Sequence, residues 1–181
     1  MKTLVTLEKL KELLDAFEKA NVKYMVIAGF GLDGLRGHQT RPHQDVDMLC
    51  LKKEAQKIEA IVSHLGYKGK WFNDLYKIKR EDGSKADLAM ATLEKDELVV
   101  YGNLAITRFP HSLFNPQTGK IEDFEFKIAP NELLKKYALH AMKGEDSIYA
   151  EKITVDEKIM KKIQRTLRIQ PQTAAQSTNH G

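Results

Sequence analysis

Tyr24-Met25-Val26-Ile27-Ala28-Gly29-Phe30-Gly31-Leu32-Asp33-Gly34-Leu35-Arg36-Gly37-His38-Gln39-Thr40-Arg41-Pro42-His43-Gln44-Asp45-Val46-Asp47-Met48-Leu49-Cys50-Leu51 runs from an apolar strand, through a glycine-rich turn and a basic loop, into a second apolar strand. The second strand opens with aspartates at i and i+2. In a β-strand that spacing puts Asp45 and Asp47 on one face. Two adjacent carboxylates repel each other unless a positive charge lies between them. Mg²⁺ answers that need where substrate phosphates complete its shell. A glycine turn opening a helix offers unpaired backbone N–H groups to a phosphate. Together these features imply a nucleoside-triphosphate site.

Gly29-Phe30, then Leu35-Arg36-Gly37-His38-Gln39-Thr40-Arg41-Pro42-His43, then Asp45-Val46-Asp47 resemble the nucleotidyltransferase superfamily that includes DNA polymerase β. Within it they resemble most the aminoglycoside and lincosamide nucleotidyltransferases. That group carries a Gly-Gly-aromatic turn, a Leu-x-Gly-x-x-Thr-Arg-x-His loop and an Asp-apolar-Asp strand. The match is specific over residues 24–51 and diffuse over the rest of the first 145. Ala28 stands where the group has the first glycine of its pair, and alanine resists positive φ.

The composition sets wider bounds. A chain of 181 residues, 42% apolar and 30% charged, reads as one globular domain with at most a small appendage. No apolar run reaches the length of a membrane span, and the N-terminus becomes charged too soon for a signal peptide. The single cysteine, Cys50, suits a reducing cytoplasm, the expected location. A net charge of +4 fits an anionic substrate such as ATP. It is too small and too dispersed to argue for a nucleic-acid face.

Helical spacing of Leu7, Leu10, Leu13, Leu14 and Phe17, with Thr6 as N-cap, predicts a first helix. Strands are expected at Tyr24 to Ala28 and Asp45 to Leu51. Ile58, Ile61, Val62 and Leu65 mark a helix that Gly66 stops. Strands follow at Tyr67 to Phe72, Leu75 to Lys79 and Ala86 to Met90, with Glu81-Asp82-Gly83-Ser84 as a hairpin signal. Weaker strand or loop signals lie at Leu98 to Tyr101, Leu113 to Asn115 and Phe124 to Ile128. Pro130 precedes a helix carrying Leu133, Leu134, Tyr137, Ala138 and Ala141. Thr154-Val155-Asp156-Glu157 is a capping-box pattern before a last helix through Leu167. The expected class is α+β, a mixed sheet of about five strands packed against helices. The polymerase β-like fold is what the resemblance implies. The expected division is a nucleotidyltransferase domain over 1–128, a small C-terminal helical part over 129–168, and a disordered polar tail over 169–181.

The resemblance implies that Asp45 and Asp47 bind Mg²⁺ (two ions) bridging the phosphates of ATP or another nucleoside triphosphate. A bare Asp-x-Asp would also fit two solvated acids. The preceding glycine turn favours the metal reading. Asp87, in Lys85-Ala86-Asp87-Leu88-Ala89-Met90, is the one acid at a comparable place in a strand. The resemblance assigns it the third carboxylate, as general base or metal ligand. Gly29 and Phe30 belong to the phosphate-binding turn. Arg41 has the donor fork of a phosphate clamp. His43 either contacts phosphate or orients an aspartate. Asp33 reads as a surface or capping residue. Trp71, Phe72 and Tyr76 default to core, and Cys50 to packing.

The implied activity is AMP transfer from Mg-ATP to a hydroxyl of a small polar antibiotic, releasing pyrophosphate. Related enzymes build acceptor pockets from dimers, so a homodimer is one expected assembly. Two alternatives share the scaffold: a protein or RNA acceptor, as in toxin–antitoxin systems, and a non-catalytic nucleotide-binding module.

Overall fold

The computed structural model describes residues 4–101 and 106–140. Helix α1 (Leu7–Lys19) begins where the Thr6 side chain accepts from the Lys9 N–H, and it buries Leu10, Leu13, Leu14 and Phe17. Strand β1 (Tyr24–Ile27) leads directly into α2 (Ala28–Arg36), whose end is capped by Gly37 in the left-handed region. Strand β2 (Val46–Leu51) and helix α3 (Ala55–His64) follow. Then come β3 (Lys68–Phe72), β4 (Leu75–Lys79), the long β5 (Lys85–Glu94), β6 (Glu97–Tyr101), β7 (Ile106–Pro110), β8 (Gln117–Ile121), β9 (Phe124–Ile128) and α4 (Asn131–His140).

Among the described residues the sheet is mixed and has nine strands, in the order β3-β4-β5-β2-β1-β9-β8, with a β6–β7 ribbon hung from the far end of β5. Strands β2 and β5 run parallel, as do β1 and β9, while β1 and β2 are antiparallel. The expected count of about five was too low. Strands β7 and β8 were missed, and the Leu113 region is a 3-10 turn over His111–Leu113. Strand β2 starts one residue after Asp45.

Alternation along the central strands separates two faces. Tyr24 and Cys50 are register partners. Tyr24 meets Phe17 of α1 edge-on, which puts α1 on the face of Tyr24, Val26, Met48 and Cys50. Helix α3 packs beside α1. Ile27 and Asp47 point the other way. Strand β9 ends at Ile128 and α4 begins at Asn131, burying Leu133 and Leu134. The capping box at 154–157, the last helix and the polar tail lie outside the described residues. Among those described, no helix is long and apolar enough to cross a membrane.

Candidate active site

The site is built on one row across four adjacent strands. Lys77 of β4 is the register partner of Asp87 in β5, Asp87 of Asp47 in β2, and Asp47 of Ile27 in β1. Neighbouring strands lie about 4.8 Å apart and register partners point to the same face. The row therefore sets an ammonium, two carboxylates and the last residue before the glycine turn side by side. Asp45 sits just before β2. Asp47 and Asp87 are partly exposed and Asp45 is exposed, as groups that meet a ligand must be.

Lys77 stands beside the acids, and the row runs on from it to Lys70 of β3. Its Nζ donates to Asp87 Oδ2 at 2.6 Å. The lysine side chain is 47% exposed and the aspartate 25%. The hydrogen bond to Asp87 holds the Lys77 ammonium above its ordinary range, against the opposing effect of burial. The charges of Asp45 and Asp47 add to it. One cation thus senses all three acids. Lys77 did not figure among the sequence candidates. Its place comes from the register: the β4–β5 hairpin is symmetric about Asp82, which sets position 77 opposite 87.

The loop between α2 and β2 is braced by a buried pair. His43 is buried, and its Nε2 lies 2.6 Å from Asp33 Oδ2. Thr40 Oγ1 donates to Asp33 Oδ1, also at 2.6 Å. Burial alone would raise the Asp33 carboxyl. The hydrogen bonds with His43 and Thr40 outweigh it and hold the group below its ordinary value. An ionised carboxylate only accepts, so the His43 Nε2 carries the proton in this pair. The expectation that Asp33 is a surface or capping residue is corrected: it has no solvent exposure. It shares the inward face of α2 with Phe30, three residues earlier, and Gly34 beside it.

The same histidine touches the turn. A Cβ on Gly29 would lie 2.5 Å from His43 Nδ1, so only glycine fits there. The Phe30 ring is buried and tilts against His43, with centroids 4.3 Å apart. Phe30 can therefore serve a nucleotide through its backbone, while its ring fixes the turn. His43 orients an aspartate, and that aspartate is Asp33. Ala28 takes φ +50°, a left-handed conformation that glycine adopts freely and alanine at a cost. Arg41 is half-buried in the braced loop.

Other sequence candidates resolve into structure. Cys50 is fully buried, and burial pushes its thiol well above the ordinary range. Tyr76 is core, whereas Trp71 stacks on it from the exposed side, 36% exposed. Asp74, in the turn between β3 and β4, is a buried tie: it accepts from Lys52 Nζ and from the Tyr101 N–H, and its carbonyl accepts from the Met90 N–H.

Comparison with known proteins decides the family. The family model described as aminoglycoside-2''-adenylyltransferase matches residues 9–156. The chain belongs to the aminoglycoside-2''-adenylyltransferase family. A lincosamide resistance protein of Staphylococcus haemolyticus is 31% identical over 101 residues, covering 55% of this chain and 63% of that protein. The match thus spans less than two thirds of that relative's length. Two solved structures share the fold. One is the lincosamide antibiotic adenylyltransferase LnuA with lincomycin bound: TM-score 0.68, 23% identity, 84% of this chain and 100% of that one. The other is ANT(2'')-Ia in complex with adenylyl-2''-tobramycin: TM-score 0.62, 18% identity, 86% of this chain and 95% of that one. The expected nucleotidyltransferase fold and family are borne out.

Adenylyltransferases of this fold imply a divalent cation. The donors present fit one in kind: Asp45, Asp47 and Asp87 offer hard carboxylate oxygens, two of them in register on neighbouring strands. They are not drawn together into a cage. Among the described residues, no group of three or more His, Cys, Asp or Glu is gathered closely enough to hold a metal ion. Asp87 is instead held by Lys77.

Proposed function

We propose that this chain transfers AMP from Mg-ATP to a hydroxyl of a small-molecule antibiotic of lincosamide or aminoglycoside type. The observation that carries the reading is the register pairing of Asp47 with Asp87, one strand away from the turn at Gly29. Family membership supports it, as do the relatives: one is a lincosamide resistance protein, and one solved structure holds adenylyl-2''-tobramycin.

Asp45, Asp47 and Asp87 would hold Mg²⁺, two ions when the site is filled. Bound there, the metal offsets charge on the α-phosphoryl group and on departing pyrophosphate. The backbone of the Gly29–Phe30 turn holds phosphate at the start of α2, and Arg41 clamps it. His43 acts through Asp33, keeping the turn and the aspartate strand in fixed relation. Asp87 accepts the proton of the acceptor hydroxyl. The hydroxyl oxygen bonds to the α-phosphorus, the α–β phosphoanhydride bond breaks, and pyrophosphate leaves with the electron pair. The protein's share is positioning and electrostatics. A homodimer that completes the acceptor pocket belongs to the same proposal.

The test is label transfer. The full chain is incubated with Mg²⁺ and α-labelled ATP against a panel of lincosamides, aminoglycosides and other hydroxyl compounds. Label on an antibiotic, with unlabelled pyrophosphate released, supports the reading. Label found only on protein or RNA rejects the small-molecule acceptor.

A further inference from the structure

We propose that Lys77 is a built-in counter-cation that a divalent metal must displace from Asp87, so that Lys77 sets the metal affinity of the nucleotide-free site. The proposal rests on the metal reading of the preceding subsection.

Three observations carry it. The Lys77 Nζ is 2.6 Å from Asp87 Oδ2, the carboxylate that neighbours Asp47 in the parallel pair. The lysine reaches that carboxylate from β4, its position fixed by the β4–β5 register rather than by a flexible loop. The pair is open to solvent, the lysine side chain being 47% exposed and the aspartate 25%. A carboxylate donating its electron density to an ammonium has less to offer a cation, and two positive charges cannot share it without repulsion.

The pair is also open enough to release. The Lys77 side chain is about half exposed, so its ammonium can move to water at modest cost, as surface ion pairs do. A fully buried partner could not leave without stranding a charge. Lys77 is therefore a positioning residue. It holds the Asp87 carboxylate in place along the row before a metal binds, and yields it when a doubly charged ion enters. A metal carried in with triphosphate brings its own ligands and overcomes the competition. A bare ion has to do so alone. The lysine thus favours metal–nucleotide together over metal first.

The experiment is a Mn²⁺ titration of the full-length, nucleotide-free protein, followed by the electron paramagnetic resonance signal of the free ion. Wild type, Lys77→Met, Lys77→Arg and Asp45→Asn are compared, with circular dichroism confirming that each is folded. Lys77→Met should bind Mn²⁺ on the order of tenfold more tightly, the scale on which an adjacent opposite charge changes a carboxylate's affinity for a cation. Lys77→Arg, which keeps the charge, should stay near wild type. Loss of a purely structural contact would not tighten metal binding. Equal or weaker binding by Lys77→Met, with binding lost in Asp45→Asn, overturns the role of Lys77 alone. Binding that survives Asp45→Asn undiminished overturns the metal reading on which the proposal rests.

Discussion

Asp47 and Asp87 are register partners across the parallel β2–β5 pair, and Asp47 also faces Ile27, the residue that precedes the glycine turn. Chain distance is thereby cancelled. An acid from each of two strands and the start of α2 meet on one level of one sheet face. The chemistry proposed for the site needs that convergence, because metal-assisted phosphoryl transfer depends on positioning far more than on covalent reactivity.

The roles assigned to the acids separate by binding. Asp45→Asn or Asp47→Asn should lose Mg²⁺-dependent ATP binding, because a neutral amide no longer offsets the metal's charge. Asp87→Asn should keep much of the nucleotide affinity while turnover falls about 10²–10⁴-fold, the usual worth of a general base. Calorimetric titration with Mg-ATP checks this. Equal loss of affinity in all three variants makes holding the metal, rather than taking the proton, the main role of Asp87.

The two residues of the turn should respond oppositely to exchange. Ala28→Gly removes a left-handed alanine, so stability in urea should hold or rise by about 1 kcal/mol. The same exchange at an ordinary helical position costs about 1 kcal/mol. A loss of that size at 28 would show that the strain is absent. Gly29→Ala should cost about 1–3 kcal/mol, because the added Cβ overlaps the His43 ring.

The Asp33–His43 pair predicts an acid limb. The folded Asp33 carboxyl is held below its ordinary value of 3.8, so the unfolded chain takes up its proton first. The stabilisation is complete above 3.8 and is lost as pH falls through the depressed folded value. Asp33→Asn should lower stability near neutral pH by about 1–3 kcal/mol, as losing hydrogen bonds to a buried carboxylate does, and flatten the acid limb. Urea midpoints between pH 7 and 3 measure both. An unchanged acid limb in Asp33→Asn assigns it to other carboxylates.

Residues 24–51 were legible because each step there is local: an apolar strand, a turn that needs glycine, and an alternating strand led in by an acid. Asp87 was legible because one strand pattern alone held an acid among small and apolar residues. Lys77 was not, since nothing local marks a lysine on an outward strand position; its meaning comes from the register of β4 with β5. Asp33 was misread because an acid on a short helix is normally solvated, and its burial depends on a histidine ten positions away. Strand β8 was missed because Gln117-Thr118-Gly119-Lys120-Ile121 is mostly polar. Its hairpin to β9 also turns through Glu122 at φ +54°, where a glycine or asparagine would have signalled the turn.

The central claim is that Asp45, Asp47 and Asp87 together run a metal-assisted transfer of AMP. The most direct measurement is the rate of label transfer from α-labelled ATP to a confirmed antibiotic acceptor at saturating Mg²⁺ and nucleotide, wild type against Asp47→Asn. Transfer should fall by at least about 10²-fold, the scale of removing one electrostatic stabiliser of a developing charge. Transfer by Asp47→Asn at the wild-type rate would contradict the claim.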